Sequence, residues 1–244
     1  MYPDLIFTAQ SAALRVWAGT LDPEELASPS SLPGWTVADL LAHLVAVHDA
    51  VAGLRPAPNR QTDGAGSGDR TDGTGSGDRT DGAADPLTVA EYVTGYAGDA
   101  DRVAQMARSI AQDTAGDPLR AWDDAAAQAR QTLGALGAAD RLVTTRRGQM
   151  LASAYLTTRI IELVVHADDL HRSAPHRPAP PVLPAARQHV FGALREVLTA
   201  RSADPAVLAA ASDLDQQVFV DLATGRRAPE AELPEDLAAA LPLL

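Results

Sequence analysis

The chain contains no cysteine among its 244 residues. This absence excludes a disulfide framework, a metal site built on thiolates and an internal cysteine nucleophile. Any sulfur chemistry that the protein performs therefore requires a thiol supplied from outside.

Long hydrophobic runs are missing as well. Hydrophobic residues make up 46% of the chain, yet no apolar run approaches the roughly 18 residues that a membrane span needs. The N-terminal residues Met1 to Asp4 lack the basic region and following apolar stretch of a secretory signal. We therefore expect a soluble globular protein of one or two domains, located in the cytoplasm.

Positive charge is scarce, and the formal net charge is −12. Binding to a phosphate backbone relies on clustered positive charge, and the sequence shows no basic stripe. We therefore expect neither nucleic acid nor a membrane as a partner. All 20 basic residues are arginine and Asn59 is the only asparagine, a bias that indicates a GC-rich genome of the actinobacterial type.

The spacing of apolar residues predicts a mainly α protein. Helices are expected at about 5–22, 37–54, 87–114, 117–137, 150–173 and 185–201. The second helix has the clearest start, because Pro33-Gly34 indicates a turn and Thr36 with Asp39 forms a capping-box pattern. After the proline-rich break at 175–184, the segment 217–222 fits a strand or a helix equally well.

A nine-residue repeat rich in Gly, Asp and Ser occupies residues 59–85. Such a composition cannot bury enough apolar surface to offset the conformational entropy of the chain, so we predict a disordered surface loop. A calcium-binding repeat array is the alternative. That architecture needs an apolar residue in each repeat and several stacked copies, which this segment lacks.

Glu162 and His166 stand four residues apart in the apolar segment Ile160–His166. Residues at i and i+4 project from one helical face, and a buried carboxylate is costly unless it is paired or bound to a metal. The leading interpretation is that Glu162 and His166 form half of a metal site. A catalytic zinc usually has three protein ligands, and two histidines with one glutamate is a recurring set. His43 is the best third ligand, because it lies on the apolar stripe of the second helix.

Other interpretations of these residues stay open. His48 lies about 140° around the helix from His43 and cannot easily share its direction. His171, His176 and His189 stand where a solvated role is expected. A di-iron carboxylate bundle needs two Glu-x-x-His elements and two further glutamates, and the sequence has one pair with different spacing. The alternative to a metal is a buried polar network of the three side chains.

Two segments together resemble the mycothiol-dependent maleylpyruvate isomerase family, which is placed among the DinB-like helical bundles. The first is Leu32-Pro33-Gly34-Trp35-Thr36-Val37-Ala38-Asp39-Leu40-Leu41-Ala42-His43-Leu44, and the second is Arg159-Ile160-Ile161-Glu162-Leu163-Val164-Val165-His166-Ala167-Asp168-Asp169-Leu170. The resemblance implies a four-helix bundle that holds zinc or another divalent metal through His43, Glu162 and His166. It also implies mycothiol as the thiol cosubstrate. Asp169 is expected to orient a ligand from outside the first coordination shell.

The resemblance also implies two domains. Residues 1–175 are expected to form the DinB-like metal-binding bundle, with the repeat as an insertion, and residues 183–244 an abbreviated C-terminal domain. The segment from Phe219 to Arg226 is similar to the end of a small sterol-carrier-like α+β domain. In the isomerase an arginine of that domain helps to hold the anionic substrate, and Arg226 is the nearest candidate for this catalytic role. A solvated arginine after a turn is the alternative.

Three functions follow as hypotheses. The first is an enzyme in which the metal activates the thiol for isomerisation of a small electrophile or for S-transfer to it. The second is a metal-dependent hydrolase, which needs a general base other than Glu162. The third is a non-catalytic bundle that binds an apolar ligand or a protein partner. The protein is expected to be a monomer or a homodimer.

Overall fold

The computed structural model describes residues 2–58, 85–114 and 117–244. This part of the chain is mainly α, as predicted. The repeat predicted to be a disordered loop lies, except for Asp85, outside the described residues.

The helices are α1 (Pro3–Ala18), α2 (Pro23–Ala27), α3 (Val37–Ala52), α4 (Val89–Thr94), α5 (Ala100–Asp113), α6 (Pro118–Leu136), α7 (Ala152–Ser173), α8 (Pro184–Arg201), α9 (Pro205–Asp213), α10 (Gln216–Ala223) and α11 (Glu235–Ala240). The strands are β1 (Arg55–Pro56), β2 (Leu142–Thr145) and β3 (Gly148–Leu151), and Ala97–Asp99 forms a 3₁₀-helix.

Four helices surround the main core. Helix α1 packs against α6 and α7, and α3 packs against the same two helices, so that the four form a closed ring. Their inward faces bury large apolar side chains, among them Leu14, Leu44, Trp122 and Leu163. Side chains of α3 and α7 therefore face each other inside the bundle.

The start of α3 is fixed as the sequence predicted. The Thr36 hydroxyl accepts a hydrogen bond from the Asp39 N–H (3.1 Å), and Asp39 Oδ2 accepts one from the Thr36 N–H (2.8 Å). The preceding turn contains Gly34 at φ +76°, a conformation that favours glycine. In the same loop Ser31 Oγ donates to the Asp169 carbonyl at 3.0 Å. This loop therefore ties the beginning of α3 to α7.

An antiparallel sheet of order β1-β2-β3, not predicted from the sequence, precedes α7. Val143 of β2 pairs with Met150 of β3, and both side chains are fully buried. The turn between these strands consists of Arg146 and Arg147, and β3 leads directly into α7. The hairpin therefore holds two arginines close to the helix that carries Glu162.

The single helix predicted over 87–114 is interrupted. Helix α4 stops before Gly95, the 3₁₀-helix follows, and α5 begins at Ala100. Gly95 and Gly98 both lie in this break, and each glycine disfavours a continuing helix by about 1 kcal/mol. A Cβ atom on Gly95 would lie 2.5 Å from Arg147 Nε. The break thus lets the hairpin arginine approach the backbone.

The α+β character expected for the C-terminal segment is wrong. Residues 184–244, all of which are described, form four helices and no strand. Over 216–223, Asp215 caps the helix through the Gln217 N–H. Phe219, Val220, Leu222 and Ala223 form one buried helical face. Without a neighbouring strand to pair its backbone, this segment is satisfied as a helix. Helix α8 packs against α1, α4 and α7.

No helix in the described part of the chain is both long enough and apolar enough to cross a membrane.

His48 belongs to a buried polar chain inside the bundle. The Trp122 indole donates to Ser11 Oγ (3.2 Å), and Ser11 Oγ lies 2.6 Å from His48 Nε2. His48 Nδ1 lies 2.6 Å from the Leu44 carbonyl, which can only accept, so Nδ1 carries the proton and Nε2 accepts from Ser11. Burial lowers the pKa of His48 to about 4, although the Leu44 carbonyl acts in the opposite direction. The imidazole is therefore neutral in the folded protein.

We predict that His48 makes the protein less stable in mild acid. The unfolded chain binds a proton near pH 6.5 and the folded chain only near pH 4, so stability falls as the pH drops between these values, by up to about 3 kcal/mol. In His48→Gln this contribution disappears. Urea unfolding of both proteins across this pH range measures the difference. Parallel pH profiles would contradict the prediction.

Candidate metal centre

His43, Glu162 and His166 meet between α3 and α7. Glu162 Oε2 lies 3.2 Å from His43 Nε2 and 3.2 Å from His166 Nε2. One potential ligand atom from each residue lies within 4.8 Å of the other two. Both histidines are buried, and the Glu162 side chain is 14% exposed. The structure thus brings together the three residues that the sequence selected.

The arrangement of these atoms suits a divalent metal. Tetrahedral ligands about 2.0–2.1 Å from zinc lie about 3.3–3.4 Å from one another. The two histidine-to-glutamate distances of 3.2 Å are close to this value. Two imidazoles and one carboxylate are also a recurring ligand set of catalytic zinc. The donor atoms therefore fit the metal that the resemblance implies.

His166 is held by Asp169, the residue expected to orient a ligand. Its Nδ1 lies 2.8 Å from Asp169 Oδ2, so the ring donates there and presents Nε2 to Glu162. Arg226 closes the other side of Asp169, with Nη2 at 2.7 Å from Oδ2 and Nε at 3.2 Å from Oδ1. Burial opposes the charge on Asp169, but His166 and Arg226 outweigh it and lower the pKa of Asp169 to about 2.

His43 is held mainly by packing. The Trp35 ring meets it edge-on with 5.8 Å between centroids, and the His166 ring lies at 4.7 Å. The buried His43 Nδ1 has no hydrogen-bond partner in the described ranges. The two histidines therefore differ, since among the described residues only His166 has a carboxylate, Asp169, at its Nδ1.

The charges of Glu162 and His43 suit ligation. Burial raises the pKa of Glu162, but hydrogen bonds from His166 and His43 and the nearby Arg159 outweigh burial and hold it well below its usual range. Burial also lowers the pKa of His43 despite the neighbouring carboxylate. For His166 burial acts the same way, yet Asp169 and Glu162 outweigh it and raise the pKa. An ionised carboxylate and a neutral imidazole are the forms that bind metals, so Glu162 and His43 are ready for ligation, whereas His166 would release a proton when a metal binds.

The cluster opens into a cavity of about 720 Å³, a volume typical of small-molecule sites. Its walls are mostly apolar, but they include Tyr92, Tyr96, Tyr155 and Arg159. Arg159 Nη2 donates to the Tyr96 hydroxyl at 2.7 Å and lies 3.8 Å from Glu162 Oε1. The Arg159 guanidinium also lies 5.1 Å from the Tyr155 ring centre. A buried cation and a phenol thus share the cavity with the cluster.

Residues of the β2–β3 hairpin and of the break after α4 form another part of the cavity wall. Arg147 donates to the Gly95 carbonyl at 2.9 Å, pairs with Asp99 and lies over the Tyr92 ring at 4.8 Å. Sequence reasoning missed Tyr96, Arg147 and Arg159 as site residues. The available signal was Arg159, a charge three residues before Glu162 in the same apolar helix.

The remaining histidines lie away from the cluster. His48 belongs to the buried chain with Ser11, as its helical angle predicted. His176 is exposed and pairs with Glu25 at 2.7 Å. His189 is half-buried against Thr157, with 2.9 Å between Nε2 and Oγ1. His171 is also half-buried, and its Nδ1 has no partner among the described residues.

A protein-family model described as the mycothiol maleylpyruvate isomerase N-terminal domain matches residues 7–171. The matched segment contains His43, Glu162, His166 and Asp169, whereas Arg226 lies beyond it. Comparison with curated proteins and with solved structures gives no significant match.

We predict that the purified protein binds about one equivalent of zinc and that Glu162→Gln removes it, because the neutral amide is a poor replacement for an anionic ligand. His43→Ala and His166→Ala are expected to do the same. Elemental mass spectrometry after dialysis against zinc measures the occupancy. Glu196→Gln, at an exposed residue of α8, is the matched control. Full occupancy in Glu162→Gln would refute the assignment.

Proposed function

Because the chain belongs to the mycothiol maleylpyruvate isomerase N-terminal domain family, we propose that it is a zinc-dependent enzyme that activates mycothiol. The activated thiol isomerises a small electrophile or is transferred to it. The observation that carries this proposal is the His43–Glu162–His166 cluster at the wall of a cavity of about 720 Å³. Another divalent metal in place of zinc would keep the same chemistry.

The roles of protein and thiol are complementary. His43, Glu162 and His166 would hold the metal and leave one coordination position open to the cavity. When bound, the metal supplies a Lewis acid that lowers the pKa of a thiol and favours the thiolate. The chain has no cysteine of its own, so the sulfur must come from the cosubstrate.

The isomerisation needs no net change of atoms. The thiolate forms a C–S bond with one carbon of a cis double bond conjugated to a carbonyl, and the electron pair moves to the carbonyl oxygen. Rotation about the resulting single bond follows. The electron pair then returns, the C–S bond breaks and the trans double bond forms. In S-transfer, the enolate carbon instead takes up a proton equivalent to the one that the thiol released, and the C–S bond stays.

Arg159 and Tyr96 suit the negative charge that develops in this reaction. Tyr96 oxygen accepts from Arg159, and burial together with the neighbouring Glu162 carboxylate raises the pKa of the phenol, so Tyr96 keeps its proton as a donor to Glu162 or to an oxygen atom in the cavity. The guanidinium adds a positive charge that is buried and already oriented by Tyr96 and Thr158. Fixed donors of this kind stabilise oxyanions without reorganisation during the reaction. We therefore propose that both residues stabilise the substrate oxygen.

Further parts of the interpretation remain predictions. These are the division into a DinB-like bundle at 1–175 and a small domain at 183–244, the cytoplasmic location, and a monomeric or homodimeric state. Arg226 lines the cavity, and its catalytic role toward an anionic substrate is likewise a prediction. The hydrolase and the non-catalytic bundle differ from the proposed enzyme in measurable ways, since the first requires metal but no thiol and the second requires neither.

We predict that turnover depends strictly on an added thiol. Maleylpyruvate, which the family name specifies, serves as the test substrate with zinc-loaded protein and mycothiol. Omission of mycothiol, or its replacement by S-methylated mycothiol, is expected to abolish the formation of product, because no thiolate can form. Absorbance of substrate and product follows the reaction. Equal rates with and without thiol would rule out the proposed chemistry.

We predict that Arg159→Met lowers kcat about 100-fold and leaves zinc occupancy intact, because one charged donor to the developing oxyanion is lost. Tyr96→Phe should act in the same direction with a smaller loss. Arg120→Met removes an exposed arginine of α6 and is the control. Wild-type kcat in Arg159→Met, with correct folding by circular dichroism, would exclude this role.

A further inference from the structure

Arg226 contacts α7 from 57 residues further along the chain. Its Nη2 and Nε both donate to the Asp169 carboxylate, and its Nη1 donates to the Thr224 carbonyl at 2.7 Å. All three guanidinium nitrogens are therefore engaged within the protein. The Asp169 side chain beneath them is only 3% exposed.

The local backbone builds this contact. Helix α10 ends at Ala223, and Gly225 follows at φ +70°, in the left-handed region that favours glycine. The Arg226 N–H returns to the Asp221 carbonyl at 2.8 Å, and the Arg226 carbonyl accepts from Arg172 of α7 at 2.8 Å. The turn after α10 is thus anchored on α7 through both the backbone and the side chain of Arg226.

The contact continues to the candidate metal ligand. Asp169 Oδ2 accepts from Arg226 Nη2 at 2.7 Å and from His166 Nδ1 at 2.8 Å. Because the carboxylate oxygen bridges the two groups, the position of the guanidinium determines where the His166 ring points. Residues that orient a metal-bound histidine affect metal affinity about 10–100-fold when they are removed.

We propose that Arg226 is a positioning residue of the metal centre, which acts through Asp169 on His166. It fixes the carboxylate by two parallel hydrogen bonds, and the carboxylate fixes the imidazole with Nε2 toward the metal. The segment after α10 thereby contributes to metal affinity without touching the metal. This proposal rests on the proposed function, because it requires a metal at His43, Glu162 and His166.

Zinc affinity of the full-length protein, measured by competition with a chromogenic chelator, tests this role. Arg226→Met is expected to weaken zinc binding about tenfold. Arg226→Lys keeps the charge but loses the two-point contact, so a smaller loss is expected. Arg227→Met, at a neighbouring arginine paired with exposed Glu230, should leave the affinity unchanged. If Arg226→Met does not fold, a comparison of the zinc affinities of Arg226→Lys and Arg227→Met still tests the positioning role.

A double-mutant cycle separates action through Asp169 from a direct contact with substrate. If Arg226 acts through Asp169, Arg226→Met causes no further loss of zinc affinity in an Asp169→Asn background. Unchanged zinc affinity in Arg226→Met and Arg226→Lys, with a raised KM, would overturn the positioning role in favour of substrate binding. Additive losses would overturn it too. A wild-type protein that binds no zinc would instead refute the proposed function itself.

Discussion

The Glu162 carboxylate lies inside a helical bundle, where an unpaired charge would cost several kcal/mol. Two imidazoles and the guanidinium of Arg159 surround it. One imidazole belongs to α3 and the other to α7, so the carboxylate is compensated only if the two helices keep a fixed distance and register. The Ser31 contact from the loop before α3 to Asp169 serves this requirement. The chemistry of one buried acid thus constrains the packing of the central helices.

Local sequence rules predicted the features that depend on neighbours along the chain. The capping box at Thr36 fixed the start of α3, and the apolar stripe of that helix placed His43 inward. The i, i+4 spacing of Glu162 and His166 predicted a common face. These inferences needed only the helical period and the cost of burying charge. The three candidate ligands were therefore predictable before any tertiary contact was known.

Features that depend on distant contacts were not predictable in the same way. The break at Gly95 looks like a tolerated glycine in a helix until Arg147 is seen to occupy the space beside it. The segment after Asp215 fits strand and helix alike, and its helical state follows from the cap and from packing of one face. Arg226 follows a turn in the sequence, where a solvated side chain is the usual outcome. Only the folded chain shows that the turn lies on α7.

The balance of charges connects the two arginines to the chemistry of the cavity. Glu162 and Asp169 contribute two negative charges, while Arg159 and Arg226 contribute two positive charges within 3.8 Å of them. With both histidines neutral, as metal ligation requires, these four charged side chains have no net charge. A divalent cation added at the cluster leaves an excess of two positive charges in a cavity with mostly apolar walls. Such a site favours anionic ligands over neutral ones, and a thiolate together with a developing oxyanion supplies that charge during the proposed reaction.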